Sequence, residues 1–321
     1  MNFLYIAGAD VRALMPAPRE IEAVVEAAFR GLGDGSAEVV PKNGMDPAPG
    51  TFFHAMPARP GGSIAGMKWV GVSNNAARGH PELPHINALI VLNDLASAGI
   101  QAVLDGNAIT ALRPAAVSMV AARRLARADS RRMGFVACGT QARAHFEAFA
   151  AAFPIAEVRC YSRRLETAQT FAKELQSRGV EAQAVAEPRA AVEGMDIVVT
   201  SMPRSPGLKP YLDPGCLSPG SFVSAPDLAR GWICAELRRL DLLATDDFAQ
   251  SAEAMASGHV PWSGTFDCEL AGLVTGKHPG RQSPEQKTFF IHPGLGLGDI
   301  AIASLILERA RAKGVGTLLP R

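Results

Sequence analysis

Aromatic residues make up only 6% of this 321-residue sequence, and its five cysteines never fall in a CxxC pair. With alanine and glycine abundant and aromatics scarce, helices are expected to pack closely through small side chains. The odd, scattered cysteines (Cys138, Cys160, Cys216, Cys234, Cys268) argue against a disulfide framework or a zinc ribbon and for a reducing compartment. A charge excess is missing too. The formal net charge is +1 with no run of like charges, so no nucleic-acid or membrane footprint is expected. The pairs Arg123-Arg124 and Arg131-Arg132 read as a solvated face. Long apolar runs are absent, since Ile300 to Leu307 falls far short of the ~20 residues of a membrane span. The opening MNFLYIAGAD has no basic n-region ahead of its short apolar run, so no signal peptide is read. A soluble, cytoplasmic protein is the expectation. Of the histidines only His80 and His85 lie close together, without a third ligand, so no metal site is expected.

What is present is a globular composition, 48% hydrophobic and 20% charged, at a length that fits two domains. No internal repeat or low-complexity tract is found. Apolar residues at helical spacing predict a helix over residues 20–32, ended by Gly31 and Gly33. Short β-type runs follow at 51–54, 63–72 and 88–92. The proline- and glycine-rich stretch 41–62 is expected to be a loop in its middle. From Pro114 the character changes. Pro114 suits the first turn of a helix running AAVSMVAARRLARA. Strands are then expected at 133–137, 158–162, 181–186, 196–201, 221–225 and 242–246, with helices between several of them. Helices alternating with continuous apolar strands predict a parallel sheet covered on both faces. The fold class expected is α/β, a Rossmann-type doubly wound parallel sheet with a second α+β domain. The boundaries expected are 114–297 for the Rossmann domain and 1–113 plus 298–321 for the other.

The segment Phe135-Val-Ala-Cys-Gly-Thr-Gln-Ala142 opens a βαβ unit of about 30 residues. At such a turn, backbone N–H groups at a helix start face a pyrophosphate, aided by the helix dipole. Gly139 would admit the phosphates, Ala142 would let the helix pack close, and Ala137 stands where the first glycine is usual. Cys138, Gly139, Thr140, Gln141 and Ala142 are therefore candidate cofactor contacts. After the second strand an NAD enzyme would show Asp or Glu for the ribose hydroxyls. Here stand Ser162, Arg163 and Arg164, whose hydroxyl and guanidinium forks suit a 2′-phosphate. NADP(H) is favoured, with NAD(H) as the alternative. Thr200, Ser201 and Met202 end the fourth strand and are expected to flank the cofactor.

Strand alternation puts Lys68 on one face with Ile64 and Val70, either as an edge-strand surface residue or as an anion and imine partner. Arg113, read as preceding a helix start at Pro114, is either an exposed arginine or an anion site for a substrate carboxylate or cofactor phosphate. Asp227 follows the strand 221–225, where it either caps a helix or faces a ligand at the carboxyl end of the sheet.

These blocks together resemble the ornithine cyclodeaminase/mu-crystallin family. The likeness rests on Lys68 in GMKWV, LPHINALIVLND (83–94), LDGNAITALRPAAVS (104–118), ACGTQARAHFEAF (137–149), Asp227, and GRQSPEQKTFF followed by GLGLGD. The resemblance implies a substrate-binding domain that also dimerises, and an active site in the cleft beside the Rossmann domain. It implies Lys68 and Arg113 as carboxylate-binding residues and Asp227 as the general acid/base. Asp299 resembles a family position, with helix capping as the equal reading. The departures are Lys42 in place of a carboxylate-binding arginine, His85 and His292 where small hydroxyl residues are common, and Leu-Ala-Arg-Gly-Trp after Asp227. They place Lys42 and His85 in the substrate pocket and His292 at the cofactor. The activity implied is NADP(H)-dependent reduction of an imino acid, or reversible dehydrogenation of an amino acid, by a homodimer. Ornithine cyclodeamination and non-catalytic ligand binding of the mu-crystallin kind are the alternatives.

Overall fold

The computed structural model describes residues 2–75, 78–80, 82–204 and 207–320. Two compact units emerge, one formed by Met1–Arg113 with Leu295–Arg321 and the other by Pro114–Gly294. In chain order the elements begin with β1 (Asn2–Ile6), α1 (Gly8–Ala13), α2 (Pro18–Asp34), β2 (Glu38–Val39), β3 (Asn43–Ala48), β4 (Thr51–Arg59), β5 (Ile64–Ser73), β6 (Ile86–Asp94), β7 (Ile100–Asp105) and α3 (Asn107–Leu125). The second unit continues with β8 (Arg132–Val136), α4 (Thr140–Ala150), β9 (Glu157–Tyr161), α5 (Leu165–Gln176), β10 (Glu181–Ala184), β11 (Ile197–Thr200), β12 (Phe222–Ala225), β13 (Leu242–Thr245), α6 (Phe248–Ala256), β14 (Cys268–Glu269), α7 (Leu270–Thr275) and β15 (Thr288–Ile291). The chain closes with α8 (Gly296–Lys313) and β16 (Thr317–Pro320).

In the first unit the strand order is β16-β1-β7-β6-β5-β4-β2, with β3 added on β4. All these pairings are antiparallel except β1 with β7. Period-two alternation buries Lys68 and Val70 of β5 and leaves Trp69 between them exposed. Helices α2 and α8 pack together, and α8 lies on β4, β5 and β6. The start of α2 is fixed by Pro18 and by the Ala17 amide, which donates to Glu20 Oε2 at 2.9 Å. Helix α8 is apolar on most sides, burying Ile300, Ile302, Ala303, Ile306 and Leu307. Its glycines are positional, because a Cβ on Gly296 would stand 2.2 Å from the Met56 carbonyl oxygen.

Two expectations are corrected here. The stretch 41–62 is a β-hairpin, β3 and β4, rather than a loop. Its prolines at 47 and 49 fall in and just after β3, which pairs on one side only, where a missing N–H is tolerated. Helix α3 starts at Asn107, so Pro114 lies inside it and Arg113 is not at its N-terminus. The Asn107 amide donates to Asp105 Oδ1 at 3.0 Å, which ties down the true start of the helix.

In the second unit every strand pairing is parallel, in the order β10-β9-β8-β11-β12-β15-β13-β14. The first five strands of the unit thus run 3-2-1-4-5, the Rossmann order, with the switch point between β8 and β11. Ile197, Val198 and Val199 of β11 and Phe289, Phe290 and Ile291 of β15 are buried on both faces, as a sheet covered on two sides requires. Among the described residues no helix is long and apolar enough to cross a membrane.

Candidate functional site

In the first unit, β5 brings Lys68 and the first turn of α8 brings Asp299 into one buried cluster. Lys68 Nζ donates to Asp299 Oδ1 at 2.8 Å, with exposures of 1% and 0%. Arg113 of α3 joins them, its Nε 3.2 Å from Asp299 Oδ2. That pair is close enough for attraction but is not aligned as a hydrogen bond, and neither atom has a hydrogen-bond partner among the described residues. Two buried cations thus face one buried carboxylate. The excess positive charge suits an anion, because a buried charge is tolerated only when paired. Burial pulls the Lys68 ammonium down to about 8; Asp299 opposes the shift and Arg113 adds to it.

Asp299 does not cap α8. The N-cap is Leu295, and the aspartate lies four residues on, in the first turn, paired with the two cations. Lys42 precedes β3; its neighbour Asn43 pairs with Ala55, so the register continued by one residue sets Lys42 beside Met56, on the row of Lys68. His85 is exposed at the start of β6, its ring Nδ1 on the Ser73 carbonyl. The structure brings Lys68, Arg113 and Asp299 together and sets His85 in a strand-end contact of its own.

In the second unit the turn after β8 holds Ala137 at φ 78°, a left-handed conformation that favours glycine. Gly139 then starts α4, and a Cβ added to it would meet nothing within 4 Å. Gly139 and Thr140 are exposed and Ala142 is fully buried. Open space above the N-terminus of a helix is what a dinucleotide pyrophosphate needs, so this turn fits such a group. Ser162 Oγ accepts from the Cys138 amide at 2.9 Å, fixing the turn to the end of β9. Beyond Ser162, Arg163 and Arg164 are exposed and have no ion-pair partner among the described residues. Arg143 braces the turn from below. It donates to the carbonyls of Cys138 and Gly139 at 3.0 and 3.2 Å and forms a two-pronged pair with Glu174. Arg143 was not legible as a site residue in the sequence, its only signal being its place on the first turn of α4.

At the end of β11, the Ser201 amide donates to the Val136 carbonyl at 3.0 Å, across the switch point. Thr200 Oγ1 donates to Asp227 Oδ1 at 2.9 Å, and the amides of Met202 and Ala229 donate to Oδ2 and Oδ1 at 3.1 and 3.2 Å. Asp227 lies in a turn after β12, not at the start of a helix, so the capping alternative is set aside. It is 3% exposed, and burial pushes its carboxyl up to about 6 against the pull of those hydrogen bonds. Leu228 and Ala229, which follow it, both adopt left-handed φ values of 63° and 57°. Such strain persists only where surroundings over-determine it, here the hydrogen bonds on Asp227 and the burial of Leu228 and Ala229. His292, just past β15, is buried with Nε2 3.1 Å from Ser118 Oγ.

The fold and these clusters define an α/β protein with a Rossmann-type parallel unit and a second, antiparallel-rich unit. The chain matches the family described as ornithine cyclodeaminase/mu-crystallin over residues 8–314, and it belongs to that family. It is similar to a solved archaeal alanine dehydrogenase dimer with bound NAD, at 29% identity and TM-score 0.89, covering 100% of this chain and 99% of the other. It is similar to the Thermococcus litoralis Δ1-pyrroline-2-carboxylate reductase in complex with NADH and L-proline, at 27% identity and TM-score 0.86, covering 98% and 99%. The ketimine reductase mu-crystallin of Rattus norvegicus is 31% identical over 242 residues, 74% of this chain and 72% of that one.

Proposed function

We propose that the protein is a nicotinamide-dinucleotide-dependent oxidoreductase that works at the carbon–nitrogen bond of a small imino or amino acid, in net reduction of the imine. The observation that carries this reading is Asp227, a buried carboxyl held by three hydrogen bonds and shifted up to about 6, at the carboxyl end of the parallel sheet. A proton carrier near neutral pH is needed where a C=N nitrogen gains or loses a proton, and pure ligand binding needs none. The dehydrogenase and reductase names of the relatives agree with it.

The turn Cys138–Ala142, with Ser162 and Thr200–Met202, would hold the dinucleotide, which supplies or takes up the hydride when bound. Arg113 and Lys68, the two cations that face Asp299, pair also with the substrate carboxylate. Asp227 gives its proton to the imine nitrogen in reduction and takes it back in oxidation. Arg163 and Arg164, exposed and with no ion-pair partner among the described residues, support a 2′-phosphate, hence NADP(H) over NAD(H). Net reduction is favoured over cyclodeamination by the same pair, because only an enzyme that consumes hydride draws on the reducing power of an NADPH pool. The exposed apolar residues Trp69 and Leu89, directly opposite on β5 and β6, support a homodimer through this sheet face.

Asp227→Asn tests the reading. Turnover with an imino acid should fall by about 10²-fold or more, while dinucleotide affinity stays within about twofold. A variant that keeps most of its kcat would contradict the assignment.

A further inference from the structure

One buried hydroxyl in the second unit meets three partners that its single proton and two lone pairs can satisfy in only one way. Ser118 of α3, His145 of α4, Ser224 of β12 and His292 are all buried. Ser118 Oγ lies 2.9 Å from His145 Nε2 and 3.1 Å from His292 Nε2, and Ser224 Oγ donates to it at 2.7 Å. His145 Nδ1 lies 2.8 Å from the Gln141 carbonyl oxygen. A carbonyl only accepts, so that nitrogen carries the proton. The His145 ring has no carboxylate against it among these partners, and burial pulls it down to about 4, so it is neutral and its Nε2 is a bare acceptor. Ser118 must therefore give its proton to His145. Ser224 fills one lone pair of Ser118, and the other can be used by His292 only if His292 Nε2 bears a hydrogen.

The sheet register places this ring. Ala225 of β12 pairs with Ile291 of β15, so Asp227 and His292 leave the ends of neighbouring strands. The reactive end of a dinucleotide has to sit beside the proton carrier, which puts the nicotinamide, not the adenosine, near His292.

We propose that Ser118 and His145 lock His292 as the Nε2–H tautomer, so that its Nδ1 is an acceptor that reads the –NH₂ of the nicotinamide carboxamide. Ser118 and His145 are then positioning residues and His292 is the contact. This rests on the reading of the second unit as a dinucleotide domain, but the tautomer itself does not.

The experiment has two arms. In the first, ¹⁵N–¹H long-range NMR on the wild-type protein without cofactor should show His292 protonated at Nε2 and bare at Nδ1. Ser118→Ala should lose that single tautomer and Ser118→Thr should keep it. In the second arm, the normal dinucleotide is compared with its analogue carrying a carboxylate in place of the carboxamide, an acceptor where the amide donates. Wild type and Ser118→Thr should prefer the amide by about tenfold or more, ~1.4 kcal/mol, and Ser118→Ala by about twofold or less. A proton on Nδ1 of His292 in the wild type overturns the lock. The expected tautomer with equal discrimination in wild type and Ser118→Ala overturns the carboxamide role. Binding of neither dinucleotide, with the tautomer as expected, overturns the underlying reading and the carboxamide role with it.

Discussion

Asp227 and Lys68 are displaced toward neutrality by the same cause, burial, and in opposite directions. The sign of the pH dependence follows. Asp227 is raised, so its acid form persists below about 6 and its carboxylate form prevails above. If Asp227 is the proton donor, reduction needs the acid form, so kcat/KM for an imino acid should be level below about 6 and fall about tenfold per pH unit above it. Oxidation of the amino acid needs the carboxylate and should rise to about 6. Lys68 is lowered to about 8, so if it pairs with the substrate carboxylate its charge is lost above that and KM for the amino acid should climb there. Rate profiles in both directions check this, and limbs of the same sign in the two directions would contradict it. Lys68, Arg113 and Asp227 were legible as residue types in the sequence. Asp299 was not legible as their partner, because 231 residues separate it from Lys68 and a capping role accounts equally well for an Asp near a helix start.

Among the elements, the turn from β8 into α4 carries opposite features at Ala137 and Gly139. Ala137 is strained where glycine is at ease, by ~1 kcal/mol, and Gly139 adopts a φ of −91° that any residue can take. Ala137→Gly should therefore raise stability by about 1 kcal/mol in denaturant unfolding. Gly139→Asn should not lower the melting temperature, since no atom of the described residues stands where its Cβ would go and asparagine is favoured at an N-cap, yet it should weaken dinucleotide binding by about tenfold or more. Equal melting and equal binding would mean that the space over Gly139 is not the phosphate site. The parallel unit was readable because its strands are continuous apolar runs between helices. The other unit was harder. Pro114 imitates a first-turn proline although α3 begins seven residues earlier at Asn107, and the prolines of 41–62 mask an edge hairpin. Strands β1, β7 and β16, and β15 of the parallel unit, went unread although glycines or a Pro-Gly pair flank them, because four to six residues are too short to show an alternation of their own.

At the scale of the whole molecule, Trp69 and Leu89 are 38% and 46% exposed and Phe53 stacks on Trp69 at 5.8 Å, an apolar surface on one face of the antiparallel-rich sheet. If a second copy covers that face, sedimentation velocity should give a dimer at micromolar concentration and a monomer for Trp69→Glu. A wild-type monomer would refute the assembly. The chemistry proposed is net hydride transfer to a C=N bond with NADPH as donor. The measurement that bears on it most directly supplies Δ1-pyrroline- or piperideine-2-carboxylate with excess NADPH or NADH in one reaction, and ornithine with catalytic cofactor in another. Stoichiometric loss of the reduced-nicotinamide absorbance is expected with the imino acids, with NADPH preferred by about tenfold, ~1.4 kcal/mol. Ammonia and proline from ornithine, with no loss of that absorbance in the imino-acid reaction, would contradict it.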